Sequence, residues 1–273
     1  MKRFLLICIC LSGYFTVKAQ SAGDSLYQSG EYFRAALAYE KEYFFSTNSE
    51  LRDEILLKKA YAYKALGEYS KAFDVTSRIR IGYDSVHRLV LYERILLAYL
   101  AKEYQKSYNE LLKWQVKYGA DTEMILPLRF LTYVQVNKLE DAMILMEKYA
   151  TELSLNEDDV EGFLERKWKI KDPERAYNLS LVLPGVGQMY AGHFFKGVFS
   201  GLTQTGLVAF TAWSLYTGYF YSGGMTGAAL FSTFYLGGAR YAKTLTIEHN
   251  KQVRSKISNK FLTLITKKEE AKL

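Results

Sequence analysis

Cysteine, histidine and proline are scarce in this chain of 273 residues, and each scarcity excludes a class of structure or function. Both cysteines, Cys8 and Cys10, lie in the first ten residues. The rest of the chain therefore cannot form a disulfide, a thiolate zinc site or a cysteine nucleophile. Three scattered histidines leave no histidine-rich metal site. With only three prolines, most of the chain is free to be helical.

The first 20 residues have the layout of a secretory signal peptide. Lys2 and Arg3 precede a short apolar run, and Val17 and Ala19 supply small residues at a cleavage site. We therefore expect residues 1–19 to be removed on export. The alternative is an uncleaved N-terminal anchor, for which the apolar run is short.

The net charge of +7 is distributed unevenly along the chain. Residues 21–165 contain 18 basic and 24 acidic residues, whereas residues 166–273 contain 15 basic and 5 acidic residues. A basic C-terminal third is typical of proteins that bind nucleic acid. Here, however, the basic residues flank the stretch 197–239, which has no charged residue at all. We therefore do not expect nucleic acid as a partner.

A sequence pattern occurs four times in the acidic part of the chain. Its turn position is occupied by Gly30, Gly67, Lys102 and Asn137, and a small residue follows five positions later as Ala35, Ala72, Ser107 and Ala142. The pattern predicts two helices joined by a tight turn. The turn residue should have a left-handed backbone conformation, which glycine and asparagine adopt readily. Lys102 is the exception at this position. One such pair cannot bury its own apolar face, so the pairs should stack.

These repeats resemble the tetratricopeptide repeat family over about residues 21–155. The resemblance rests on Gly30, Tyr32, Ala35, Gly67, Tyr69, Ala72, Tyr104 and Ala142. It implies an all-α helical solenoid of four repeats within residues 20–155; a generic helical bundle is the alternative. The family's register implies a concave groove for a protein partner, lined by Tyr27, Gln28, Tyr61, Lys64, Tyr92, Leu96, Tyr99 and Leu131. Because the chain has 23 tyrosines, packing between repeats is the other interpretation of the aromatic positions.

The uncharged stretch 197–239 is long enough for two helical spans of about 20 residues each. We predict a charged linker and helix start at residues 156–178, an interfacial or re-entrant segment at 179–195, a two-helix transmembrane hairpin at 196–242 and a basic amphipathic tail at 243–273. Two alternatives remain open. Residues 179–195 could cross the membrane as a third span, or the hairpin could be buried in a soluble core.

The residues before this stretch, from Leu183 to Gly197, also form a motif. They resemble a small bacterial membrane-hairpin family, and the matching positions are Pro184, Gly185, Gly187, Gln188, Tyr190, Gly192, Lys196 and Gly197. The resemblance covers about residues 176–252 and implies a two-span membrane domain. The glycine spacing does not match nucleotide-binding loops. For Gln188 and Gln204 we expect hydrogen bonds between helices, with a role in contacting a partner as the alternative.

The sequence shows no nucleophile elbow, metal-ligand motif or convergent acid–base set, so we expect a protein that is not an enzyme and needs no cofactor or metal. We predict a membrane-tethered scaffold of the bacterial inner membrane, with its repeats on the periplasmic side. It would bind a protein partner in envelope or membrane-protein biogenesis, while the basic tail contacts anionic lipid headgroups. In the alternative, the hairpin is the active part, as an insertion or transport accessory, and the repeats are regulatory.

Overall fold

The computed structural model describes residues 21–79, 85–119, 124–150, 155–166 and 168–270. The predicted signal peptide lies outside these residues. The described part of the chain is all-α and contains no β-strand, which confirms the predicted structural class. The chain divides into two compact units, residues 1–132 and 133–273.

The first unit consists of consecutive helix pairs. The helices are α1 (Ala22–Gln28), α2 (Tyr32–Phe45), α3 (Ser49–Ala65), α4 (Tyr69–Ser77), α5 (Ser85–Leu100), α6 (Tyr104–Tyr118) and α7 (Leu126–Gln135), whose last three residues belong to the second unit. Side-chain oxygens cap α1 and α3, because Ser21 accepts from the Asp24 amide and Asn48 accepts from the Glu50 and Leu51 amides. Each even-numbered helix begins directly after a tight turn instead.

The turns within the four helix pairs share one backbone conformation. Gly30, Gly67, Lys102 and Asn137 have φ angles of 80°, 75°, 62° and 64°. In each turn the next amide donates to the carbonyl five residues earlier, as Glu31 does to Leu26 at 2.9 Å and Glu103 to Ala98 at 2.9 Å. This is the Schellman arrangement, which satisfies the last carbonyls of the first helix. The predicted left-handed turns are confirmed, including the one at the exceptional Lys102.

Small residues let the helices of the first unit approach closely. Ala35 and Ala72 are completely buried in separate apolar clusters. At the equivalent position the Ser107 hydroxyl donates to the carbonyl of Ile95, 2.9 Å away and twelve residues earlier, so that this polar side chain is satisfied in the core. Trp114 fills the neighbouring cluster. The first unit therefore has one apolar cluster after another along the chain, as expected for a helical repeat.

The second unit is organised around one long helix. It contains α8 (Leu139–Tyr149), α9 (Glu157–Leu164), α10 (Pro173–Val182), α11 (Val186–Tyr190), α12 (Phe194–Tyr216), a π-helical turn (Ser222–Thr226) and α13 (Gly227–Glu270). Helices α10, α11 and α12 all pack against α13. The Asp172 carboxylate accepts from the Glu174 amide at 2.9 Å, with Pro173 in the first turn, so α10 begins where the sequence predicted.

The segments predicted around the membrane are helical. The interfacial or re-entrant segment 179–195 contains the end of α10 and all of α11, and α13 continues past residue 242 without a break. No helix among the described residues combines the length and the apolar character that a membrane crossing needs, so the predicted transmembrane hairpin is not supported. Absence of charge does not by itself make a helix apolar enough to cross a membrane, because α12 also contains glycine, serine, threonine and glutamine.

The turn at Lys102 provides a test of the repeat geometry. A left-handed backbone strains any residue with a Cβ atom, so Lys102→Gly should raise the free energy of unfolding by about 0.5–1 kcal/mol. Gly67→Ala is the matched control and should lower it by about 1 kcal/mol. A Cβ there would have no atom within 4 Å, so its cost is conformational alone. Denaturant unfolding of the purified chain measures both, and a destabilised Lys102→Gly variant would contradict the shared geometry.

Candidate functional site

A buried hydrogen-bond network centred on Gln188 joins the helices of the second unit. Gln188 is 1% exposed; its oxygen accepts from the Ser180 hydroxyl at 3.3 Å. Its amide nitrogen donates to the Ser200 hydroxyl at 3.3 Å and to the carbonyl of Gly238 at 3.1 Å. One side chain of α11 thereby bonds to α10, α12 and α13. This confirms the predicted hydrogen bonds between helices for Gln188. The same prediction is wrong for Gln204, whose amide nitrogen donates to Ser200 of its own helix at 3.2 Å.

The glycines of the motif allow these helices to touch. A Cβ atom on Gly187 would lie under 3.0 Å from the Ala176 carbonyl oxygen and the Ser180 hydroxyl. A Cβ on Gly185 would lie equally close to the backbone of Gly197. Gly185 also has a φ angle of 94°, which disfavours any side chain. Gly185 and Gly187 are therefore required for packing.

The turn between α11 and α12 has the same construction as the four repeat turns. Gly192 has a φ angle of 102°, and the next amide, His193, donates to the Gln188 carbonyl at 2.9 Å. Gly185 and Gly197 are twelve residues apart and in contact, like Ile95 and Ser107. The sequence Gly-His-Phe-Phe-Lys-Gly at 192–197 matches Gly-Glu-Tyr-Phe-Arg-Ala at 30–35. Our sequence analysis missed this fifth occurrence, although the pattern itself was visible.

The remaining motif residues lie at the same end of α12. The Tyr190 hydroxyl accepts from the Asp172 amide at 3.1 Å, and the Arg175 side chain lies 5.7 Å from the tyrosine ring. The Lys196 ammonium donates to the Tyr241 hydroxyl at 3.0 Å. The Pro184 carbonyl faces Gly201 of α12. The structure thus brings all eight motif residues together where α10, α11, α12 and α13 meet.

Helix α12 has an exposed apolar stripe. Phe195, Phe199, Leu202, Phe210, Trp213 and Tyr216 follow one another three or four residues apart, apart from a gap at Gly206, and all are exposed. This spacing places them on one face of the helix. Phe220, Tyr221 and Met225 continue the exposed apolar residues across the turn to α13. Exposed apolar surface of this extent marks a site of interaction.

The hydroxyl groups near this stripe are bonded to the helix itself. Thr203, Thr205 and Thr211 each donate to the carbonyl four residues earlier, at 2.9, 2.9 and 2.8 Å. Thr233 of α13 does the same to Ala229 at 2.8 Å. These bonds leave no free hydroxyl proton on the four side chains. The surface is accordingly less polar than its composition suggests.

In the first unit the structure brings part of the predicted groove together. The Lys64 ammonium forms an ion pair of 2.7 Å with Glu93, whose side chain is buried, and lies 5.7 Å from the Tyr61 ring. Burial raises the pKa of Tyr61 to about 12, with further contributions from Glu93 and Tyr27. Burial, followed by Glu93, also raises the pKa of Tyr92. A buried carboxylate thus lies among the predicted tyrosines, and our sequence analysis had not selected it.

The other predicted groove residues are placed differently. Tyr99 and Leu96 pack against the apolar cluster around Trp114, and Leu131 is buried, so it offers little surface to a partner. Tyr27 and Gln28 line a cleft of about 740 Å³ between α1, α2 and α3. Of the eight predicted groove residues Leu131 alone is buried, and the other seven are at least partly exposed.

Asp24 lies at the centre of that cleft. Its carboxylate accepts from the Tyr39 hydroxyl at 2.8 Å and pairs with the Lys58 ammonium at 3.0 Å. Burial acts to raise the pKa of Asp24, but these two hydrogen bonds outweigh it and lower the pKa below its ordinary value. The described residues include no group of three or more histidine, cysteine or acidic side chains that could hold a metal ion.

Comparison of the chain with models of protein families, with curated proteins and with solved structures finds no match.

The close packing at Gly187 can be tested by adding one methyl group. Gly187→Ala should lower the free energy of unfolding by about 2–3 kcal/mol, because the new Cβ overlaps two atoms of α10. Gly206→Ala is the control in α12, where a Cβ meets no atom within 4 Å, and should be neutral or stabilise by up to about 1 kcal/mol. Thermal unfolding in detergent measures both. Equal stability of the two variants would contradict the packing described.

The Asp24 cluster predicts a specific pH dependence. Because the folded-state pKa of Asp24 is lowered, its contribution to stability is present at neutral pH and is lost as the pH falls below the ordinary value of 3.8. Asp24→Asn should therefore be less stable than the wild type at pH 7, and the difference should shrink towards pH 3. Denaturant unfolding over this range measures it. A difference that grows in acid would contradict the sign.

Proposed function

We propose that this chain is a membrane-tethered scaffold, in which the apolar hairpin inserts into lipid and the helical repeats bind a protein partner. The observation that carries the proposal is the exposed apolar stripe on α12 and its continuation into α13. A surface of this kind needs an apolar environment, and a bilayer supplies one. The remaining observations concern the charges and polar groups around it.

Charge is segregated in a way that suits insertion. Between Glu174 and Glu248 the sequence has no acidic residue, and its basic residues there are Arg175, Lys196, Arg240 and Lys243. Lys196 and Tyr241 are in contact, so the basic residues 196, 240 and 243 lie at the same end of the α12–α13 pair. From there to the turn the pair has no charge, and α12 with 23 residues is about 35 Å long.

Polar groups within the hairpin also fit lipid. A hydropathy index counts each threonine and glutamine as fully polar, which lowers the average over α12. In this hairpin the threonine hydroxyls bond to the helix backbone, and Gln188 bonds between helices. Backbone and side-chain groups that are satisfied internally are compatible with a membrane interior. The proposal therefore rests on surface chemistry and not on mean hydropathy.

The repeats supply the binding function in this proposal. Their resemblance to tetratricopeptide repeats suggests an extended peptide segment as the partner. The cluster of Tyr27, Tyr61, Lys64, Tyr92 and Glu93 combines aromatic area with a buried ion pair, features that frequently dominate binding energies. We further propose export of the repeats to the periplasmic side of a bacterial inner membrane and a role in envelope or membrane-protein biogenesis, on the basis of the signal-like N-terminus.

A second candidate function places the activity in the hairpin, as an accessory to insertion or transport, with the repeats as regulator. One observation favours it: the side-chain oxygen of Gln204 is buried and has no hydrogen-bond partner among the described residues. A polar group left unpaired in an apolar hairpin is costly unless something else binds there.

Membrane insertion is tested by placing charges on the apolar stripe. The double variant Phe199→Asp/Phe210→Asp should fail to float with liposomes and should be extracted by alkaline carbonate, because two exposed apolar side chains become carboxylates. Phe44→Asp alters an equally exposed phenylalanine of the first unit and should behave like the wild type. If the wild type itself remained in the aqueous fraction, the proposed tether would be wrong.

Partner binding is tested by site-specific photocrosslinking in cells. A benzoylphenylalanine at Tyr61 should capture a discrete protein partner, because this position adjoins the buried ion pair of the groove. The same probe at Val116, which is 90% exposed on α6, is the matched control and should capture none. Loss of the crosslink in Lys64→Met would connect it to the ion pair. Identical crosslinks from both positions would argue against a groove.

A further inference from the structure

A groove lies between the hairpin helices, at the end where the basic residues are found. It has a volume of about 780 Å³, within the range of small-molecule sites. Its walls include Phe195, Phe199 and Phe234, and its floor is formed by Ser200, Gln204 and Gly238. Apolar walls over a polar floor describe a site for a molecule that is itself amphipathic.

Gln204 on the floor has an unused hydrogen-bonding group. The side chain is 3% exposed, its nitrogen donates to the Ser200 hydroxyl at 3.2 Å, and its oxygen has no partner among the described residues. Ser200 also accepts from Gln188, so one hydroxyl serves two glutamines. One end of the Gln204 amide stays unpaired whichever way the amide is turned. An unpaired group of this kind is costly when buried, and a hydrogen-bond partner from outside the chain would satisfy it.

Lys196 at the rim of the groove differs from its counterparts in the repeats. Arg34, Lys71 and Lys106 occupy the same turn position and pair with Glu31, Glu68 and Glu103, three residues earlier. In the hairpin turn that glutamate is replaced by His193, and the described residues place no carboxylate within ion-pair distance of Lys196. Its ammonium contacts the Tyr241 hydroxyl instead. The substitution leaves a positive charge available at the open end of the groove.

We propose that this groove binds one anionic amphiphile, with its charged head at Lys196, its alkyl chain between Phe199 and Phe234, and a hydroxyl or N–H group donating to Gln204. The inference rests on the proposed insertion of the hairpin into lipid, where such molecules are found. Gln204 lies eight residues beyond Lys196 in the same helix, about 12 Å along the axis. The donor therefore belongs to the linker of the amphiphile or to the first carbons of its chain.

Native mass spectrometry of the full chain in detergent tests the site with two probes, palmitoyl lysophosphatidylglycerol and palmitoyl lysophosphatidylcholine. The two share a chain and a linker hydroxyl and differ in net charge. The wild type should bind the anionic probe about tenfold more tightly, as expected for one charge-assisted contact. Lys196→Gln should remove this preference, because it weakens binding of the anionic probe more than binding of the zwitterionic probe. Gln204→Leu should weaken binding of both probes by a similar factor.

Two glycine variants control for the fold. A Cβ on Gly237 or on Gly206 meets no atom within 4 Å, so the first atom of a leucine side chain has room at either position, but only Gly237 lines the groove. Gly237→Leu should abolish binding of both probes, and Gly206→Leu should bind like the wild type. Equal affinity of the wild type for the two probes, or unchanged binding by Gly237→Leu, would overturn the proposal.

The same samples distinguish this inference from the proposed function. Liposome flotation reports insertion of the hairpin, whereas the probes are measured in detergent and do not require it. A chain that floats but shows no charge preference would retain the tether and lose the lipid site. Photocrosslinking at Thr233 of the groove wall provides the last check, and capture of a helix from another protein there would also overturn the lipid assignment.

Discussion

The close approach of two helices across a left-handed turn is the constraint on which this structure depends. In such a turn a residue with positive φ ends the first helix. A small residue five positions after it, in the second helix, contacts the residue that lies twelve positions earlier than itself. Ser107 against Ile95 and Gly197 against Gly185 are two examples. The first contact closes a helix pair in the repeats, and the second closes the hairpin of the other unit. One local rule therefore shapes both units.

The same turn conformation occurs in the repeats and in the hairpin, but the side chains that follow it differ in polarity. In three of the four repeats, the glutamate after the turn residue pairs with a basic residue three positions later. In the hairpin, histidine and phenylalanine follow the glycine, and the surface becomes apolar. Polar contacts lie in the interior instead, where Gln188 of α11 bonds to α10, α12 and α13. This exchange of polar and apolar groups between surface and interior is expected when the surrounding solvent is lipid.

Much of the fold could be predicted from sequence, because the relevant signals are local. Glycine and asparagine mark left-handed turns, so these turns were found at the right residues. The buried partner of Lys64 could not be found in this way. Glu93 lies 29 residues away on another helix, and no local pattern shows that a carboxylate is buried. Leu131 shows the opposite error, since a family register places it in a groove while packing buries it.

The fifth turn shows why a pattern can be present and still be missed. Residues 192–197 match the repeat pattern, but the matching stretch lies 55 residues after the turn at Asn137 and not 35, so a search at constant spacing passes over it. The uncharged composition around it suggested a different class of structure as well. In three dimensions the two share a positive φ angle, the hydrogen bond that His193 donates here and a contact with the residue twelve positions earlier. The period is interrupted between Asn137 and Gly192, while the pattern itself is retained.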